Sequence, residues 1–126
     1  MRPIVHEESC NSARVFWLNK EVLMERILKK VEGLKEDNRI KKIVLFGSLA
    51  EGKAIPGSDV DLLIVLEDKR RIFERISEFL GYFSDLGTAI DVFPYNENEL
   101  NNPIAKYALR DGRVLFERRL RKGQQE

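Results

Sequence analysis

The stretch IVLFGSLAEGKAIPGSDVDLLIVL, residues 43–66, decides the fold of this 126-residue chain. An apolar run, Ile43 to Phe46, stops at Gly47-Ser48. A linker broken by Pro56-Gly57 leads to Ser58-Asp59-Val60-Asp61, and a second apolar run follows from Leu62 to Leu66. The pattern reads as strand, tight turn with a short helix over Ser48–Gly52, then a strand from Val60 to Leu66. In that second strand Val60, Leu62 and Ile64 face one way, and Leu63 and Val65 the other. Both faces are apolar, so the strand is expected in the middle of a sheet with both sides covered.

Residues i and i+2 of a strand share a face, so Asp59 and Asp61 project together at the start of this strand. Two carboxylates a few ångström apart repel each other unless a proton or cation sits between them. Oxygen donors in such a pair suit Mg²⁺, which binds through one or two carboxylates plus substrate phosphates. Gly47-Ser48 supplies a complementary half. A glycine directly after a strand lets the backbone turn sharply and lets a ligand come close. Amides opening the next helix then hold an anion. A phosphate cradle and a metal-binding carboxylate pair are thus expected on adjacent strands.

The pattern Gly47-Ser48, ten residues, Asp59-Val60-Asp61 resembles the signature of the nucleotidyltransferase superfamily that includes DNA polymerase beta. It looks closest to the minimal nucleotidyltransferases, or MNT proteins, often paired with a helical HEPN protein as toxin and antitoxin. The resemblance spans about Ile40 to Glu117. It implies an α/β nucleotidyltransferase fold, a small mixed β-sheet flanked by helices. It also implies a third carboxylate on a later strand. Thr88 to Phe93 reads as that strand, with Asp91 in its middle between Ile90 and Val92. A lone acid inside an apolar strand is expensive to bury without a partner, and Asp91 is expected to be the third ligand.

What the resemblance implies is two-metal phosphoryl transfer. Asp59, Asp61 and Asp91 would be the catalytic, metal-binding set for two Mg²⁺ ions, and Gly47 with Ser48 would hold the phosphates of ATP. AMP would pass to a hydroxyl, a tyrosine of a partner HEPN toxin, making the chain an antitoxin. Many relatives carry a basic residue between the serine and the next glycine, where this chain has Glu51. Two alternatives stand beside the enzyme reading: a non-catalytic antitoxin that acts by binding, and a nucleotidyltransferase of small molecules resembling aminoglycosides.

Composition bounds these readings. Twenty-two Lys and Arg against 21 Asp and Glu leave a net charge of +1. Such balance argues against nucleic acid as an obligatory partner. One cysteine, Cys10, permits neither an intrachain disulfide nor a cysteine-based metal site. No apolar run has membrane-spanning length and no signal-peptide pattern appears, so the default location is cytoplasmic. The length suits one domain, expected at 15–117, between an N-terminal arm at 1–14 and a charged tail at 118–126.

The rest of the chain reads as follows. His6 and Cys10 lie in the arm, where nothing completes a metal site. Trp17 is expected to pack at the edge of the core. Asn19 is a candidate cap for a helix to about Asp37, whose core face is Leu23, Ile27, Val31 and Leu34. Gly47 to Ala54 nearly fits a P-loop, but Ala54 stands where the metal-binding hydroxyl is needed, and Pro56 stops the helix that should follow. Asp68 is expected to cap a crossover helix to about Ser84, with Ile72, Ile76, Phe79, Leu80 and Phe83 as its stripe. Pro94 to Asn102 reads as loop with a short helix near Glu97–Leu100. Pro103 opens a helix with Ile104, Ala105, Ala108 and Leu109 as its apolar face, and Asp111-Gly112 ends it. Arg113 to Glu117 is the last strand.

Overall fold

Each apolar run forms a strand: β1 is Ile40–Phe46, β2 Val60–Leu66, β3 Ile90–Asn96 and β4 Arg113–Glu117. Three helices join them: α1 over Lys20–Leu34, α2 over Ile72–Tyr82 and α3 over Pro103–Asp111. A single 3-10 turn, Glu97–Glu99, follows β3. This computed structural model describes residues 20–47 and 60–118. The expectations for His6, Cys10, Trp17, Asn19, the Ser48–Gly52 helix, the P-loop-like segment and the tail beyond Arg118 lie outside the described residues.

The strands make one mixed sheet in the order β3-β2-β1-β4. β1 runs antiparallel to both its neighbours, while β2 and β3 are parallel. A parallel pair needs a crossover, and α2 supplies it. β2 is therefore internal, and its alternation separates two cores. Val60, Leu62, Ile64 and Leu66 join Leu23, Ile27, Val31, Phe79 and Phe83 beneath α1 and α2. Leu63 and Val65 join Val44, Phe46, Ala105 and Ala108 beneath α3.

Several boundaries differ from the sequence reading, each for a physical reason. β3 begins at Ile90 and runs through Pro94 to Asn96, where a loop was expected. Pro94 tolerates the strand because β3 is an edge. Its carbonyl accepts from Arg75 Nη1 at 2.7 Å, so its polar backbone faces away from β2. Asn96 extends the pairing with its side chain: Oδ1 accepts from the Asp68 amide at 2.7 Å, and Nδ2 donates to the Asp68 carbonyl at 2.8 Å.

Asp68 does not cap α2; the cap position is Arg71. The Asp68 carboxylate instead accepts from Arg39 Nη1 and Arg70 Nη2, at 2.7 and 2.6 Å. Leu80 on α2, and Ile104 and Leu109 on α3, are about 40% exposed, so their apolar stripes are narrower than expected. Asn102 caps α3 by accepting from the Ala105 amide at 2.9 Å, with Pro103 in the first turn. Arg118 closes the described chain. Its guanidinium donates to the carbonyls of Ile40, Lys35 and Asp37.

Candidate active site

β1 ends in Gly47, which turns with φ +86°. That region is open to glycine and strained for other residues. The position is crowded as well. A Cβ on Gly47 would fall within 3.3 Å of Asp61 Cγ and closer still to Asp61 Oδ2. The carboxylate of Asp61 therefore lies directly against the Gly47 backbone, in the space a side chain would fill.

Asp61 is the second residue of β2, and Asp91 the second of β3. The parallel register pairs them as direct neighbours, Asp61 with Asp91. The antiparallel register pairs Asp61 with Phe46 on its other side. Paired residues share a face, so Phe46, Asp61 and Asp91 follow one another across the sheet, and Gly47, one residue past Phe46, turns back against Asp61. Asp61 is half-buried and Asp91 exposed. Asp91 was expected in the middle of a strand from Thr88 to Phe93; the strand starts two residues later, at Ile90, so Asp91 sits near its first end.

Of the expected site, Gly47, Asp61 and Asp91 are thus brought together. Ser48 and Asp59 lie outside the described residues. Among the described residues no group of three metal-ligating side chains occurs, so the described part of the carboxylate set is the pair Asp61 and Asp91. The donor chemistry fits Mg²⁺: carboxylate oxygens of Asp61 and Asp91 on one face of adjacent strands.

Sequence reasoning missed the aromatic wall below the carboxylates. Phe46, Phe93 and Tyr95 alternate on the same face as Asp61 and Asp91. Phe46 meets Phe93 with centroids 5.6 Å apart and Tyr107 of α3 at 5.9 Å, edge-on. Phe93 and Tyr95 lie 6.3 Å apart, and burial raises the Tyr95 hydroxyl above its ordinary pKa. The signal was the i+2 step from Asp91 to Phe93, which only the register turns into a shared surface.

Comparisons with known proteins bear on the family and the fold. A family model described as polymerase beta, nucleotidyltransferase, matches residues 20–121. A protein of Methanocaldococcus jannaschii, provisionally named a protein adenylyltransferase, is 32% identical over 94 residues, covering 75% of this chain and 94% of the relative. A solved structure described provisionally as a minimal nucleotidyltransferase superposes with a TM-score of 0.55 at 26% identity, over 74% of this chain and 92% of the other. A complex of tri-AMPylated Shewanella oneidensis HEPN toxin with an MNT antitoxin shares the fold. Its TM-score is 0.54 at 16% identity, over 79% of this chain and 73% of the other. Among the described residues no helix is long and apolar enough to cross a membrane.

Proposed function

This chain belongs to the polymerase beta nucleotidyltransferase family, and from that premise we propose that it transfers AMP from ATP to a tyrosine hydroxyl of a HEPN-type toxin, acting as its antitoxin. The reading rests above all on the pairing of Asp61 with Asp91 beside Gly47. The names of the relatives and the HEPN complex among the structural neighbours support the acceptor class.

In this reading Asp59, Asp61 and Asp91 hold Mg²⁺. When bound, the metal neutralises charge on the phosphates and lowers the pKa of the attacking hydroxyl. The chain's own residues do the rest. Gly47 brings its backbone close to the phosphates, with Ser48 as their second anchor. Asp61, seated against Gly47, supplies one of the carboxylates that would hold the metal. Asp91, exposed at the second position of β3, orients the acceptor hydroxyl and takes its proton. The hydroxyl oxygen forms a bond to the α-phosphorus, the bond from the α-phosphorus to the bridging oxygen breaks, and pyrophosphate leaves in line. Balanced charge is consistent with a protein partner rather than nucleic acid.

The test is the intact mass of a co-expressed HEPN partner. One or more added AMP masses with wild type, and none with the Asp59→Asn, Asp61→Asn double variant, is the expected result. A partner that stays unmodified yet co-purifies with both forms would make the chain a binding antitoxin and sink the transfer reading.

A further inference from the structure

We propose that Phe93 and Tyr107 form an aromatic ledge that receives the ring of the tyrosyl acceptor, beside Asp91. This deepens, and rests on, the reading of the chain as an AMP transferase acting on tyrosine.

The order of groups across the sheet assigns the ledge to the acceptor. Gly47 follows β1 and lies against the Asp61 carboxylate, Asp61 is the second residue of β2, and its partner Asp91 is the second residue of β3, one strand spacing of about 4.8 Å away. With phosphates at Gly47, the attacking group enters from the β3 side. The surface it meets there is Phe93, two residues beyond Asp91 on the same strand and face. Two residues of extended chain span about 6.6 Å, the order of length of a tyrosyl side chain. A phenol with its hydroxyl at Asp91 therefore lays its ring over Phe93.

The ledge is held rigid from behind. Phe46 is 6% exposed and touches both outer rings, Phe93 at 5.6 Å with a 49° tilt and Tyr107 at 5.9 Å with an 83° tilt. Phe93 and Tyr107 pack against the core beneath α3 yet are each only half-buried, so both retain some exposed surface. Offset and edge-on ring pairs at these separations are favourable. A serine or threonine acceptor has a hydroxyl but no ring to place there, so the ledge selects tyrosine among hydroxyl side chains. The same surface is also chemically suited to a nucleobase, and the experiment separates the two.

The experiment is a nuclear magnetic resonance titration of the full chain with Mg²⁺ and α,β-methylene-ATP, which cannot release AMP, following the Phe93 and Tyr107 ring signals. Adding N-acetyl-tyrosinamide should shift both signals saturably, and N-acetyl-threoninamide should not. The variant Phe93→Leu with Tyr107→Leu keeps both side chains apolar and should weaken N-acetyl-tyrosinamide binding about two- to tenfold. Ring shifts produced by α,β-methylene-ATP alone would hand the ledge to the nucleobase and overturn the proposal. So would ring signals that ignore N-acetyl-tyrosinamide, or an unchanged affinity in the folded variant. If the variant does not fold, the wild-type titration still decides. The two readings fail separately: AMP transfer to a partner tyrosine without ring shifts removes the ledge alone, whereas ring shifts without any transfer remove the enzyme reading.

Discussion

Gly47 meets two demands through one missing atom. Its φ of +86° disfavours any side chain, and the space beside its Cα belongs to the Asp61 carboxylate. Gly47→Ala should therefore destabilise the fold by about 1–2 kcal/mol and also push Asp61 out of register with Asp91. Thermal unfolding and transfer assays together check this; the activity should fall far more than the stability explains. Asp61→Asn should behave differently. It keeps the shape but removes the charge, so transfer should drop by about 10²-fold or more. The melting temperature should stay within a few degrees of wild type. A variant that melted early and kept its specific activity would reverse both assignments.

The elements themselves were largely legible in the sequence. A run apolar on both faces placed β2 inside the sheet, and the helical spacing of Leu23, Ile27, Val31 and Leu34 gave the buried face of α1. Turn chemistry at Pro103 and Gly112 bounded α3. What escaped were partnerships between distant residues. Asp68 looks like a helix cap because local chemistry favours it there, but Arg39, 29 positions earlier, takes one of its oxygens. Pro94 looks like a strand end because nothing local says its carbonyl meets Arg75. The site was legible only in part: Asp61 and Asp91 stood out as acids in apolar runs, whereas their pairing and the neighbouring rings needed the register of β3.

Two predictions belong to these elements. Arg75 is 4% exposed and donates to Glu99, to the Pro94 carbonyl and to the Arg70 carbonyl. Arg75→Met should strand those acceptors and lower stability by about 2–3 kcal/mol, measured by urea unfolding. Gly33→Ala tests the α1–α2 seam. Helix propensity alone would make alanine better by about 1 kcal/mol. Here its Cβ would come within 2.5 Å of the Tyr82 hydroxyl, which donates to the Lys30 carbonyl at 2.6 Å. Gly33→Ala should thus destabilise the native protein but turn stabilising in a Tyr82→Phe background. Equal effects in both backgrounds would show that the hydroxyl is not the obstacle.

Across the whole molecule, acid stability should follow the guanidinium-bound carboxylates. Hydrogen bonds from Arg39 hold Asp37 and Glu78 below their ordinary values, Arg70 holds Asp68 well below its own, and Arg75 lowers Glu99. A carboxylate with a depressed folded pKa binds fewer protons folded than unfolded. Its stabilisation is complete above the unfolded value, near 4, and is lost as pH falls toward the folded one. The urea midpoint should stay level from pH 7 to about 5 and then decline steadily below 4. Arg75→Met should make that decline shallower, because it removes the largest cause that holds Glu99 below its ordinary value. A midpoint that rose on acidification would contradict the assigned pairings. The Arg118 clamp carries a consequence for synthesis. β4 and Arg118 pair with β1 and with the carbonyls that precede it, so the sheet gains its fourth strand only when residue 118 has cleared the ribosome. A nascent chain holds β1 with one edge bare until then, and competence begins after translation has passed that point rather than during it.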